Sequence, residues 1–139
     1  MLPLKLDRPL AVLDIESTGI NPRTDRIVEL SIVKLLPDGG REIHTRRFNP
    51  EMPIPAEVTA IHHISNADVA NCPTFRELAP KIYVLLNDCD LGGYNIGKFD
   101  LPMLTEEFLR ASIHFSGDGR RVIDAQRIFH RREPRDLTA

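Results

Sequence analysis

The stretch that decides the fold is AVLDIESTG, Ala11–Gly19. Val12, Leu13 and Ile15 mark a strand, and Gly19, Asn21 and Pro22 mark the turn-rich loop that ends it. Asp14 and Glu16 interrupt the apolar run. In a strand, residues i and i+2 project from one face, about 6.5–7 Å apart at a rise of about 3.3 Å per residue. Two acids therefore stand side by side on one face of what reads as a buried strand. Neighbouring carboxylates held away from water repel and raise each other's pKa. Sharing a proton, pairing with Arg or Lys, or binding a cation relieves them. No basic residue interrupts AVLDIESTG, and oxygen ligands at this spacing suit hard divalent cations such as Mg²⁺ or Mn²⁺. A bare Asp-x-Glu triplet is common by chance, however, and on its own favours a solvated strand end.

Outward from this strand, Leu10–Glu16, the pattern predicts a second strand over Arg26–Leu36, a hairpin turn at Pro37–Gly40 (PDGG) and a more polar third strand over Arg41–Phe48. These form an antiparallel meander with the polar strand nearer the edge. A proline-rich loop leads to a short helix within Ala56–Ile64. Pro73–Leu86 carries Phe75, Leu78, Ile82, Leu85 and Leu86 at helical spacing despite Pro80. Asp90–Asn95 is a short strand entering a loop. Asp100–Ala111 is a helix with Leu101, Leu104, Phe108 and Leu109 on one face. Val122–Ile123 reads as strand, with helix after Asp124, and RDLTA after Pro134 opens a further helix. A meander followed by alternating helix and strand predicts an α/β domain: a mixed five-stranded sheet, antiparallel meander plus parallel strands, with helices on both faces. The loops at the carboxyl ends of the strands are the place for a site.

The chain's 139 residues suit one domain, and no linker, repeat or low-complexity tract divides it. Its composition, 42% apolar and 27% charged, is that of an ordinary globular protein. A net charge of -2 excludes bulk electrostatic attraction to nucleic acid but is compatible with a cation-bridged phosphate site. Cys72 and Cys89 form no CxxC or Cys/His pattern and read as thiols in a reducing compartment. Asp7, Arg8 and Pro9 break the N-terminal apolar stretch, which makes a poor signal peptide, and no apolar run approaches the roughly 18 residues of a membrane span. The expected setting is the cytoplasm, with no membrane partner.

A second string, NIGKFDLPML at Asn95–Leu104, places Asn95 after a strand and Phe99 and Asp100 at the mouth of a helix. Singly these are a turn former, a core aromatic and an acid on a helix dipole. The ordered set says more: DIESTG on the first strand, IVEL opening the second, AIHHIS after a proline-rich loop, and NxxxFD before a helix. In this order the motifs resemble the DEDD-type (DnaQ-like) 3′–5′ exonucleases, a family that includes the proofreading epsilon subunit of bacterial polymerase III, RNase T and oligoribonuclease. The resemblance extends from Leu10 to Ala139.

It implies a ribonuclease H-like fold and hydrolysis of phosphodiester bonds at 3′ ends by two divalent metal ions, Mg²⁺ or Mn²⁺, held by four acids. Asp14, Glu16 and Asp100 match three of those acids. Asp14 would bridge the metals, Glu16 would hold the one that activates water, and Asp100 the one beside the leaving oxygen. By the same resemblance, Thr18 and Gly19 offer backbone donors to the terminal 3′-hydroxyl, and Ile61, His62 and Phe99 pack against the last nucleotides. Asn95 orders the site or touches the substrate, and Asp124 supports without ligating. His63 stands where the family often has Gly. The implied partners are single-stranded nucleic-acid 3′ ends, DNA ahead of RNA, and a DNA polymerase. The alternatives are an exoribonuclease on short RNA and a non-catalytic, polymerase-associated module. Lys98, Arg41, Arg46, Arg47, Arg131, Arg132 and Arg135 read as surface residues.

The family's third motif, a histidine base and, after four intervening residues, the fourth aspartate, has no match. His130 and Asp136 have five residues between them, Pro134 breaks the interval, and both read as surface residues. The expectation is a single domain, 1–139, of a chain truncated before its C-terminal helices. A chain ending here would hydrolyse weakly or not at all, because general acid–base catalysis alone is worth about 10²–10⁴-fold.

Overall fold

The computed structural model describes residues 6–125. Three strands come first, β1 (Leu10–Ser17), β2 (Ile27–Leu35) and β3 (Arg41–Arg47). Helices α1 (Ala56–His62), α2 (Asn66–Val69) and α3 (Phe75–Leu86) follow, then β4 (Asp90–Gly93), α4 (Asp100–Arg110) and β5 (Val122–Asp124). The sheet order is β3-β2-β1-β4-β5. β1–β2 and β2–β3 pair antiparallel, β1–β4 and β4–β5 parallel. This is the expected mixed five-stranded sheet, with β1 at its centre and the polar strand at one edge. On β3 every residue but the half-buried His44 is exposed.

The alternation along β1 sets the two faces. Ala11, Leu13 and Ile15 join Leu30 and Ile32 of β2 in the main core, closed by Phe75, Ala79, Ile82 and Leu86 of α3 and Met103, Leu104 and Phe108 of α4. Phe75 meets Phe108 edge to face, ring centroids 5.2 Å apart, and so pins the two helices together. A capping box starts α3: the Thr74 hydroxyl accepts the Glu77 N–H, and the Glu77 carboxylate accepts the Thr74 N–H. A second box, Ser65 with Asp68, opens α2, a four-residue helix too short for apolar periodicity to reveal.

α4 is turned relative to the sequence expectation. Its buried residues are Asp100, Met103, Leu104, Glu107 and Phe108, whereas Leu109 is 60% exposed. The buried stripe contains two acids, so apolar spacing alone misplaces it.

The opposite face of the sheet carries Val12, Asp14 and Glu16, in register with Val33, Ser31 and Glu29 of β2. α3 and α4 both pack on the Leu13 side. The helix expected from RDLTA, the pair His130 and Asp136, and Arg131, Arg132 and Arg135 lie outside the described residues.

Candidate active site

Asp14 and Glu16 sit near the carboxyl end of β1 on the face away from the main core. Asp14 is exposed and Glu16 half-buried. The expected burial of this pair is therefore corrected: neither α3 nor α4 covers their side of the sheet. The buried acid is Asp100, 5% exposed, the first residue of α4. Burial, then the Asp14 carboxylate, push Asp100 up to about 7, with Asp124 and Glu16 adding to the effect and a backbone hydrogen bond opposing it. Glu16 is raised by burial and then by Asp14, with a smaller push from Glu29 and an opposing pull from His62. Among the described residues no Lys or Arg forms an ion pair with Asp14, Glu16 or Asp100. Like charges gathered without a cationic side chain have the chemistry of a hard-cation site, since all their donors are carboxylate oxygens. Among the described residues no three His, Cys, Asp or Glu side chains come together closely enough to hold a metal ion. The fit is one of charge and donor type.

Local backbone geometry aims Asp100. Asn95 takes a left-handed conformation, φ 54°, and its carbonyl accepts the N–H groups of Lys98 at 3.2 Å and Phe99 at 3.0 Å. The chain thus coils directly into α4. The Asn95 N–H donates to the Asp124 carboxylate at 3.1 Å, which ties this turn to the end of β5. Asp124 therefore braces the loop that delivers Asp100.

A family model described as exonuclease, of the RNase T type, matches residues 11–131. The chain belongs to this exonuclease family. It is 29% identical to the 3′–5′ exonuclease DinG of Staphylococcus epidermidis over 126 residues, 91% of this chain and 14% of that protein. It is 33% identical to a DNA polymerase III subunit epsilon-like protein of Rhodobacter capsulatus over 108 residues, 75% of this chain and 15% of the other. The chain spans about one-seventh of the length of these relatives. E. coli Exonuclease I, solved in complex with a dT13 oligonucleotide, superposes with a TM-score of 0.78 at 16% identity, over 88% of this chain and 29% of that one. The shared fold is the ribonuclease H-like one that the sequence motifs imply.

The exonuclease domain distributes its remaining expected contacts unevenly. Thr18, expected to offer a backbone donor, closes the loop after β1. It is 1% exposed, its N–H already donates to the Arg26 carbonyl at 2.9 Å, and its hydroxyl donates to the Asp25 carboxylate at 2.9 Å. Gly19 keeps a more available donor, its N–H making a 3.3 Å bond to the Ser17 hydroxyl. A Cβ at Gly19 would collide with the Asp25 carboxylate, so a larger residue fits this corner only if Asp25 shifts. Ile61 is 78% exposed on α1.

His62 is half-buried with both ring nitrogens committed. Nδ1 accepts the Ile64 N–H at 3.1 Å, so the proton resides on Nε2, which donates to the Ser17 carbonyl at 3.0 Å. The Nε2 bond ties the end of α1 to the end of β1. Next to it His63 caps α1 at φ 64°, the conformation that glycine adopts freely, which explains the family's preference there. Phe99 is half-buried and packs against the main core. Asn95 is exposed beside it. Sequence reading missed Asp25, Arg26, Glu107 and Arg110, which organise the loop after β1. The available signal was an acid seven residues beyond Asp100, hence on the same helical face.

Proposed function

We propose that this domain is a 3′–5′ exonuclease acting on single-stranded DNA, with Mg²⁺ or Mn²⁺ held by Asp14, Glu16 and Asp100. The observation that carries the reading is Asp100, a buried carboxyl beside two further acids that form no ion pair with Lys or Arg among the described residues. Bound divalent cations supply charge stabilisation to the attacking and leaving oxygens of a phosphoryl displacement. The chain's own residues do the rest. Asp14 and Glu16 present oxygens from the central strand. Asp100 adds a carboxyl pushed up to about 7 by burial and by Asp14, a strain that a bound cation would relieve. Gly19 offers its N–H to the terminal hydroxyl. Ile61 and the outer face of Phe99 offer apolar surface to the last bases, a contact that tolerates any sequence.

The 3′–5′ direction is supported by the likeness to the 3′–5′ exonuclease DinG, and DNA by the oligonucleotide in the Exonuclease I complex. Association with a DNA polymerase is supported by the epsilon-like relative. A cytoplasmic setting accords with the free thiols Cys72 and Cys89.

The test uses single strands of one sequence, as DNA and as RNA, labelled separately at each end and incubated with Mn²⁺. The expected outcome is stepwise loss from the DNA 3′ end, faster than from RNA, and none with Asp14→Asn. Undiminished trimming by that variant, or loss from the 5′ end first, would overturn the assignment. Melting temperature provides an independent readout, because a ligand that binds the native state raises it. Millimolar Mn²⁺ should raise it in the wild type and not in Asp14→Asn.

A further inference from the structure

Glu107 stands apart from the acids discussed so far. Its side chain is 1% exposed. Both of its oxygens accept from Arg26 Nε at 3.1 Å, and a second Arg26 guanidinium nitrogen lies 3.0 Å from Oε1. Oε2 also accepts the Ile27 backbone N–H at 2.8 Å. Arg110, one turn later on α4, stands 3.4 Å from Oε1 and donates through Nη2 to the carbonyls of Pro22 and Arg23, each at 2.9 Å. Two neighbouring side chains of one helix therefore grip both the tip and the returning end of the segment that joins β1 to β2.

That segment carries Gly19. Its two ends are locked to each other: the Thr18 N–H donates to the Arg26 carbonyl, and the Arg26 N–H donates to the Thr18 hydroxyl at 3.0 Å. Asp100 lies seven residues before Glu107 on α4, two turns away on the same face and about 10 Å along the axis. The helix thus connects a metal-facing carboxylate at one end to the substrate-facing loop at the other. A buried ion pair adds little net stability over an apolar contact of similar size. What a carboxylate adds here is direction, because it fixes the Arg26 guanidinium and the Ile27 N–H by hydrogen bonds and attracts the nearby Arg110 charge.

We propose that Glu107 is a positioning residue: with Arg26 and Arg110 it sets where the Gly19 loop stands relative to Asp100, and so how well the domain recognises a terminal 3′-hydroxyl. This rests on the exonuclease reading above. Glu107→Gln keeps the size and an acceptor for Ile27 but loses the charge that holds both arginines. The experiment compares affinity for a single-stranded DNA ending in a 3′-hydroxyl with the same strand ending in a 3′-phosphate, in Ca²⁺ to suppress turnover and well below each variant's melting temperature. Wild type should prefer the hydroxyl end. Glu107→Gln should lose about tenfold of that preference, the scale on which supporting groups act, while affinity for the phosphate-ended strand stays within about twofold. A folded Glu107→Gln that keeps the full preference overturns the inference, as does an equal loss for both ends.

Should Glu107→Gln not fold, Arg110→Met carries the test. It leaves the Glu107–Arg26 contact in place and frees the Pro22 and Arg23 carbonyls, and an unchanged preference there overturns the inference too. A wild type that binds neither strand sinks the exonuclease reading instead, which keeps the two failures distinct.

Discussion

Replacing Asp100 by Asn preserves the shape of the side chain and removes its charge, so the variant isolates what ionisation at this position does to the fold. The carboxyl has an ordinary value of 3.8 and is pushed up to about 7 by burial and by Asp14. Between those values the native state holds a proton that the unfolded chain has released. Stability contributed by this group is therefore fully present below pH 3.8 and is lost as pH rises through about 7. The gap corresponds to about 4 kcal/mol at 1.36 kcal/mol per pKa step of one. Local relaxation and water penetration reduce the expected effect to about 2–4 kcal/mol. Thermal melts of both proteins in EDTA, from pH 4.5 to 8, measure it. The variant should lie close to the wild type at the acid end and exceed it at pH 8, by roughly 10 °C at about 4 °C per kcal/mol. Asp90, held below its ordinary value by Arg121 against the opposing effect of burial, adds a trend of the other sign. The difference between the two profiles removes that contribution. Adding Mn²⁺ at pH 8 should stabilise the wild type and do little for the variant. A variant less stable than wild type at pH 8 in EDTA, or a difference that does not change with pH, would refute the reasoning.

Gly19→Ala should destabilise by about 1–3 kcal/mol in chemical denaturation, since the new methyl meets a carboxylate anchored by Thr18 and Asn21; an unchanged midpoint would show that Asp25 moves aside freely. His63→Gly should stabilise by about 0.5–1 kcal/mol by relieving the left-handed cap of α1. A loss of stability would mean that the His63 side chain, not its backbone, sets the cap.

Strand pairing was legible in the sequence because the β1–β2–β3 meander is local, with the PDGG turn fixing one register and alternation in AVLDIES fixing which side faces the core. Asp14, Glu16 and Asp100 were singled out because their motifs come in family order, and the fold sets Asp14 and Glu16 within electrostatic reach of Asp100. The burial of those acids was not legible. Sequence puts Asp14 and Glu16 inside an apolar run, yet their strand is covered by α3 and α4 on the Leu13 side, and the buried carboxylate belongs to the helix. Glu107 escaped for a related reason. Apolar spacing selects Leu101 and Leu109 for the inner face of α4, whereas the helix turns to bury two acids whose partners lie elsewhere: Asp14 for one, Arg26 and Ile27 for the other. Thr18 shows the same limit at the scale of one residue, because its commitment to Arg26 and Asp25 depends on how the loop closes.

The edge strand β3 bears on how copies of the protein behave together. A sheet margin normally invites another strand, since one row of its N–H and C=O groups is unpaired. Here any incoming strand must settle against Arg41, Glu42, Arg46 and Arg47, all exposed, and strip water from charges on both sides of the ribbon. Among the described residues the far margin is β5, three residues long, which gives a newcomer little to hold. The sheet therefore discourages its own extension at either border, which should keep concentrated solutions of the domain from growing strand by strand into fibres.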